Sequence, residues 1–110
     1  MRLHPTRPEA VIRNLRANNT RPATIAKLQE AAKGGQLYWH SDGTWTAILL
    51  LRPGRAPAIG ISKRCTYGKR ADEYKGSVGV SIAVSRMLQG NEDPKHLSFR
   101  SLMLAMAGQL

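Results

Sequence analysis

Two runs of β-forming residues meet at an Asp-Gly pair: Leu37-Tyr38-Trp39-His40, then Ser41-Asp42-Gly43, then Thr44-Trp45-Thr46-Ala47-Ile48-Leu49-Leu50-Leu51-Arg52. Asp-Gly between aromatic and β-branched residues is a hairpin signal, because glycine enters the positive-φ region that a tight turn needs. The second run contains Ile48-Leu49-Leu50-Leu51, so the alternation of a half-solvated strand is missing there. Both faces of that strand must then be covered, by helices or by a partner subunit. Pro53-Gly54-Arg55-Ala56-Pro57 makes a second turn, and Ala58-Ile59-Gly60-Ile61-Ser62-Lys63-Arg64-Cys65 reads as a third strand with basic residues at its end. The expectation is a three-stranded antiparallel meander.

Helical patterns flank this meander. Thr6-Arg7-Pro8-Glu9 opens a first helix capped near Thr6, with Pro8 in its first turn and Val11, Ile12 and Leu15 as its apolar stripe up to Ala17. The opening Thr-Arg-Pro returns at Thr20-Arg21-Pro22, and the second helix stops at Gly34-Gly35. This echo reads as similar caps on neighbouring helices packed as a hairpin, not as a solenoid repeat. After an irregular basic stretch from Thr66 to Gly76, a third helix runs from Ser77 through Leu88 to Gly90. Asn91-Glu92-Asp93-Pro94 breaks the chain before Ser98 caps a last helix, Phe99 to about Ala107, with Leu102, Met103 and Met106 at helical spacing and Leu104 off that stripe. The order ααβββαα defines an α+β fold, and 110 residues with 42% hydrophobic side chains suit one small basic domain spanning 1–110.

Charge narrows the function. Lys and Arg number 17 against 7 Asp and Glu, a formal net charge of +10. Such a surplus favours polyanionic partners, nucleic acid first, and says nothing about fold. With so few acids, no paired carboxylates for general acid–base work stand out, and the chain is not expected to be an enzyme. His4, His40 and His96 have no shared ligand spacing, so neither metal nor cofactor is expected. Cys65 is the single cysteine, which fits a reducing, cytoplasmic setting without disulfides; Arg64 beside it favours a thiolate, but no His/Asp pair accompanies it. Met1 to Pro8 has charge but no apolar stretch behind it, so neither a secretory signal nor a membrane span is expected.

Two basic groups are candidate nucleic-acid contacts. The first is Arg7, Arg13, Arg16 and Arg21 on the helical hairpin, within a 33-residue segment that carries seven Lys and Arg against Glu9 and Glu30. Arg13 and Arg16, three apart, share a helix face able to meet a phosphate backbone. Simple solvation of the outer helix faces explains the amphipathicity but not the shortage of acids. A helix-turn-helix is only loosely compatible with the Asn18-Asn19-Thr20 turn and Pro22. The second group is Lys63, Arg64, Lys69, Arg70 and Lys75, on a loop that leads into a helix N-terminus with Gly76, Ser77 and Gly79, a place where anions sit. Its spacing matches neither a P-loop nor a dinucleotide fingerprint. Trp39 and Trp45 are candidate stacking residues if either is exposed beside Arg52 and Lys63. The apolar last helix raises the expectation of a homodimer.

The segment Gly79-x-x-Ile82-Ala83-x-x-Arg86-x-Leu88, preceded by Cys65 and Asp72, resembles a pattern in small uncharacterised bacteriophage-encoded proteins. The resemblance covers residues 65–88 and implies a setting, an accessory gene acting on host DNA, RNA or defence components, without implying any chemistry. The combined expectation is a small basic protein that binds DNA or RNA through phosphate contacts. The alternative is an inhibitor or adaptor that docks on a host protein or captures a phosphorylated small ligand.

Overall fold

The computed structural model describes residues 2–63, 76–90 and 94–110. Arg64, Cys65, Lys69, Arg70, Asp72 and Lys75 lie outside the described residues, and with them most of the second basic group and the Cys65 reading. The elements run β1 (His4–Thr6), α1 (Pro8–Ala17), α2 (Pro22–Ala31), β2 (Gln36–Ser41), β3 (Trp45–Leu51), β4 (Ala58–Lys63), α3 (Gly76–Gln89), a 3-10 turn (Pro94–His96) and α4 (Leu97–Ala107). The class is α+β.

The sheet has four strands, in the order β1-β2-β3-β4, each antiparallel to its neighbour. The expected three-stranded meander is therefore incomplete, and the added strand is the one that Thr6 was expected to leave for a helix cap. His4, Pro5 and Thr6 pair with Trp39, Tyr38 and Leu37. Three residues containing a proline show no period-2 pattern, and proline is tolerated here because β1 lies at the sheet edge.

β3 is the central strand, buried from Thr46 to Leu50. Its side chains alternate between two cores. Ile48 and Leu50 join Leu37, the α1 residues Val11, Ile12 and Leu15, Ile25 and Leu28 of α2, and Ala83, Val84 and Met87 of α3. Ala47 and Leu49 join Leu3, Ile59 and Ile61 under Met103 and Ala107 of α4. Helices thus cover both faces, and each buried Leu or Ile contributes ~1.5–3 kcal/mol relative to exposure.

On α4 the observed stripe is Met103 and Ala107, with Phe99 packed beside them, while Leu102 is 47% exposed. Residues four apart stack on one helix face, and Leu102 lies about 100° away from Met103. The helix begins at Leu97 after His96, so Ser98 is inside it and does not cap it.

α3 closes on the sheet through two glycines. A Cβ on Gly60 would overlap the Ala83 carbonyl, and one on Gly79 would stand 2.7 Å from Thr46 Oγ1. Ser62 Oγ donates to the Gly79 carbonyl at 2.9 Å and Arg86 Nη1 to the Ile61 carbonyl at 2.6 Å. Gly79, Ala83 and Arg86, which carry the bacteriophage resemblance, are thus packing residues of α3 in this fold. Ile82 of the same pattern is 41% exposed.

Candidate nucleic-acid interface

The repeated Thr-Arg-Pro places an arginine at the N-cap of each of the first two helices. Arg7 is extended (φ −102°, ψ 151°) ahead of Pro8, and Arg21 takes the same place ahead of Pro22. Neither helix has a side-chain cap; Pro8 and Pro22 carry no N–H, and the Ala10 and Thr24 amides donate to the Arg7 and Arg21 carbonyls (3.1 and 3.0 Å), so what each start offers beside its guanidinium is the positive end of the helix dipole, shared in α1 with Glu9. The threonines expected to cap are used elsewhere: Thr6 is in β1, and Thr20 Oγ1 shares a hydrogen bond of 3.2 Å with Ser81 Oγ on α3.

The turn between the helices is tight. Thr20 N–H donates to the Leu15 carbonyl (2.9 Å) and Asn19 N–H to the Arg16 carbonyl (3.1 Å), with Asn19 in the left-handed region at φ 54°. This pairing closes the C-terminus of α1, and asparagine is among the few non-glycine residues that enter that region readily. Across this turn Arg16 lines a hollow of about 460 Å³ with Asn19, Thr20, Pro22 and Ile25.

Arg7, Arg13, Arg16 and Arg21 are all exposed. Among the described residues none of the four forms an ion pair; the acid–base contacts present are Lys33 with Glu30 (2.9 Å) and His40 with Asp42 (3.0 Å). Four unneutralised guanidinium groups, with Arg13 and Arg16 on one helix face, are exposed to phosphate oxygens, which arginine meets with a planar fork of donors.

Of the remaining predicted cations, Arg52 and Lys63 are the described ones, and the strand places them apart. Lys63 pairs in register with Trp45, and its Nζ lies 5.1 Å from the centre of the Trp45 ring, on the sheet face that α4 covers. Arg52 follows Leu51 at the opposite end of β3, ~20 Å along the strand from Trp45, with its Nε buried and without a hydrogen-bond partner among the described residues. The expectation of a tryptophan beside both Arg52 and Lys63 is corrected accordingly: register puts these two cations at opposite strand ends.

The tryptophans divide as well. Trp45 stacks on Phe99 (4.5 Å between ring centroids, 6° between planes) and meets His96 edge-on at 5.0 Å, so both its flanks are occupied. Trp39 pairs with Ile48, on the α1 side of the sheet, and is 37% exposed; its ring neighbour is His4 at 5.4 Å. Beside it a groove of about 500 Å³ runs between α1 and the β2–β3 hairpin, lined by Thr6, Val11, Asn14, Trp39, Ile48 and Val80 among others. This groove is a feature that residue patterns alone do not reveal.

At the hairpin tip, Asp42 Oδ1 accepts from Thr44 N–H (2.9 Å) and Trp45 N–H (2.7 Å), while Oδ2 faces His40 Nε2 at 3.0 Å. Partial burial pushes the Asp42 carboxyl up, but the Trp45 N–H, His40 and Thr44 N–H together outweigh it and hold the group below the ordinary aspartate value. His40 Nδ1 lies 3.2 Å from the Arg2 carbonyl.

No helix among the described residues is long and apolar enough to cross a membrane. Comparison with protein-family models, curated proteins and solved structures found no match to the chain.

Proposed function

We propose that this protein binds nucleic acid, DNA or RNA, through phosphate contacts made by the α1–α2 layer, acting as a binding protein and not as a catalyst. The observation that supports this reading is the set of four exposed arginines, Arg7, Arg13, Arg16 and Arg21, none ion-paired among the described residues. At both helix starts the positive end of the dipole lies beside an arginine, and both favour an anion there. The bacteriophage accessory setting belongs to the proposal and is carried by the resemblance over residues 65–88 alone.

The test is fluorescence anisotropy of the purified protein, freed of co-purifying nucleic acid, with labelled duplex DNA, single-stranded DNA and RNA over a salt series. Affinity is expected to fall linearly on a log–log salt plot, at ~0.7–0.9 per phosphate neutralised. No binding of any of the three at physiological salt overturns the proposal.

A second reading is supported by the outer side of α4, where Leu97 and Leu102 are 49% and 47% exposed. There the protein docks on a host protein as an inhibitor or adaptor, and a defined stoichiometric complex that survives high salt distinguishes this reading from the first.

A further inference from the structure

We propose that the groove beside Trp39 receives one unpaired base of a single-stranded nucleic acid, so that the protein prefers single strands to duplex. The inference rests on the phosphate-contact reading and names the form of nucleic acid recognised.

Three observations converge on the groove. Its size, about 500 Å³, falls in the range of small-ligand sites. Its lining combines the indole of Trp39 with the apolar side chains of Val11, Ile48 and Val80. Trp39 is 37% exposed although it is one of the largest side chains on the core side of the sheet, whereas Trp45 is half-buried, with Phe99 stacked on it and His96 at its edge. An exposed indole is a stacking surface that accepts any base, since every base has a π-face.

Polar groups stand at the edges. Asn14 Nδ2 donates to the Ala10 carbonyl at 3.1 Å, which holds the side-chain amide against α1 and leaves its Oδ1 as an acceptor for a base edge. Thr6 forms the lip of the groove, and the next residue is Arg7 at the uncapped start of α1. Arg13 follows on the solvent side of the same helix. A strand whose base enters the groove therefore has its phosphates beside α1, where Arg7 and Arg13 are exposed. A duplex cannot meet this arrangement without unstacking a base, which costs a few kcal/mol.

The experiment compares three labelled probes of about 12 nucleotides, a length usual for single-strand sites: oligothymidine, a strand of the same length with abasic sugars, and a duplex, with oligouridine run beside the first. Wild-type protein is expected to bind the base-bearing strands about tenfold or more tightly than the abasic one, the size of a single stacking contact. Trp39→Ala erases that difference, Trp39→Phe keeps most of it, and Arg13→Glu weakens all probes together. In a Trp45→Phe background, Trp39 emission is quenched by the base-bearing strands and not by the abasic strand. Equal affinity for strands with and without bases, or a preference that survives Trp39→Ala, overturns the groove proposal and leaves the phosphate reading standing. Absence of binding to every probe overturns both.

Discussion

Gly60 on β4 and Ala83 on α3 touch backbone to backbone, so that the Ala83 carbonyl occupies the space where a side chain at position 60 would begin. Ala83 is fully buried and Gly60 pairs with Ile48 of the central strand, which places the contact where sheet and helix meet. Gly79, one turn earlier on α3, makes the corresponding approach to Thr46. α3 is thereby held close enough for Ser62 and Arg86 to hydrogen-bond across the junction.

Gly60→Ala is expected to destabilise the fold by ~1–3 kcal/mol or more, because relief requires moving backbone and not a flexible side chain. The measurement is a thermal melt, where each kcal/mol lowers Tm by roughly 4 °C or more in a protein of this size. An unchanged Tm would show that α3 does not approach β4 this closely.

Reversal of Arg13 and Arg16 to Glu is expected to abolish polyanion binding at physiological salt while changing stability by no more than ~0.5 kcal/mol, the usual range for surface substitutions. Both side chains are exposed and in no ion pair among the described residues. Anisotropy and a urea melt on the same preparation separate the two effects, and full affinity in the double variant removes α1 from the interface.

The Asp42 carboxylate stabilises the hairpin in a pH-dependent way. Its folded-state value lies below its ordinary one, so the contribution is present above about pH 4 and is lost as pH falls through the lower folded value. Asp42→Asn is expected to flatten the stability profile between about pH 2 and 5, and Asp42→Ala to cost ~0.5–1 kcal/mol at neutral pH through loss of the acceptor for the Thr44 and Trp45 amides, which water partly replaces at this exposed turn. Urea unfolding at stepped pH reports both.

Trp45→Ala is expected to lower stability by ~2–3 kcal/mol, through loss of the Phe99 stack, the His96 edge contact and the Lys63 cation over the ring. Nucleic-acid affinity measured on the folded fraction should stay within about twofold, a change of ~0.4 kcal/mol. A loss of affinity equal to that of Trp39→Ala would place Trp45 in the binding surface.

Much of the architecture is legible in local patterns. Pro8 and Pro22 mark helix starts, and Gly34, Gly54 and Gly90, all at positive φ, mark the ends and turns where only glycine is unstrained. The apolar run of β3 requires cover on both faces, and α1, α2 and α3 on one side and α4 on the other provide it. β1 was not legible, because three residues paired at an edge have no pattern of their own. The end of the first helix was readable to the residue, yet its cap was not: the Thr6 hydroxyl competes with a strand register that only Trp39, Tyr38 and Leu37 supply.

The site divides along the same line. Sequence alone determined that the first 33 residues carry half of the positive excess and that Arg7, Arg13, Arg16 and Arg21 belong to two short helices, because charge and helical period are local properties. Tertiary structure decided which tryptophan stays exposed and which cations are kept apart. Strand register put Lys63 on Trp45 at one end of β3 and Arg52 at the other, and the docking of α4 stacked Phe99 on Trp45 while Trp39 was left at the groove beside α1. These outcomes depend on pairings between residues distant along the chain, and residue spacing records the face on which a side chain stands but not what comes to cover it.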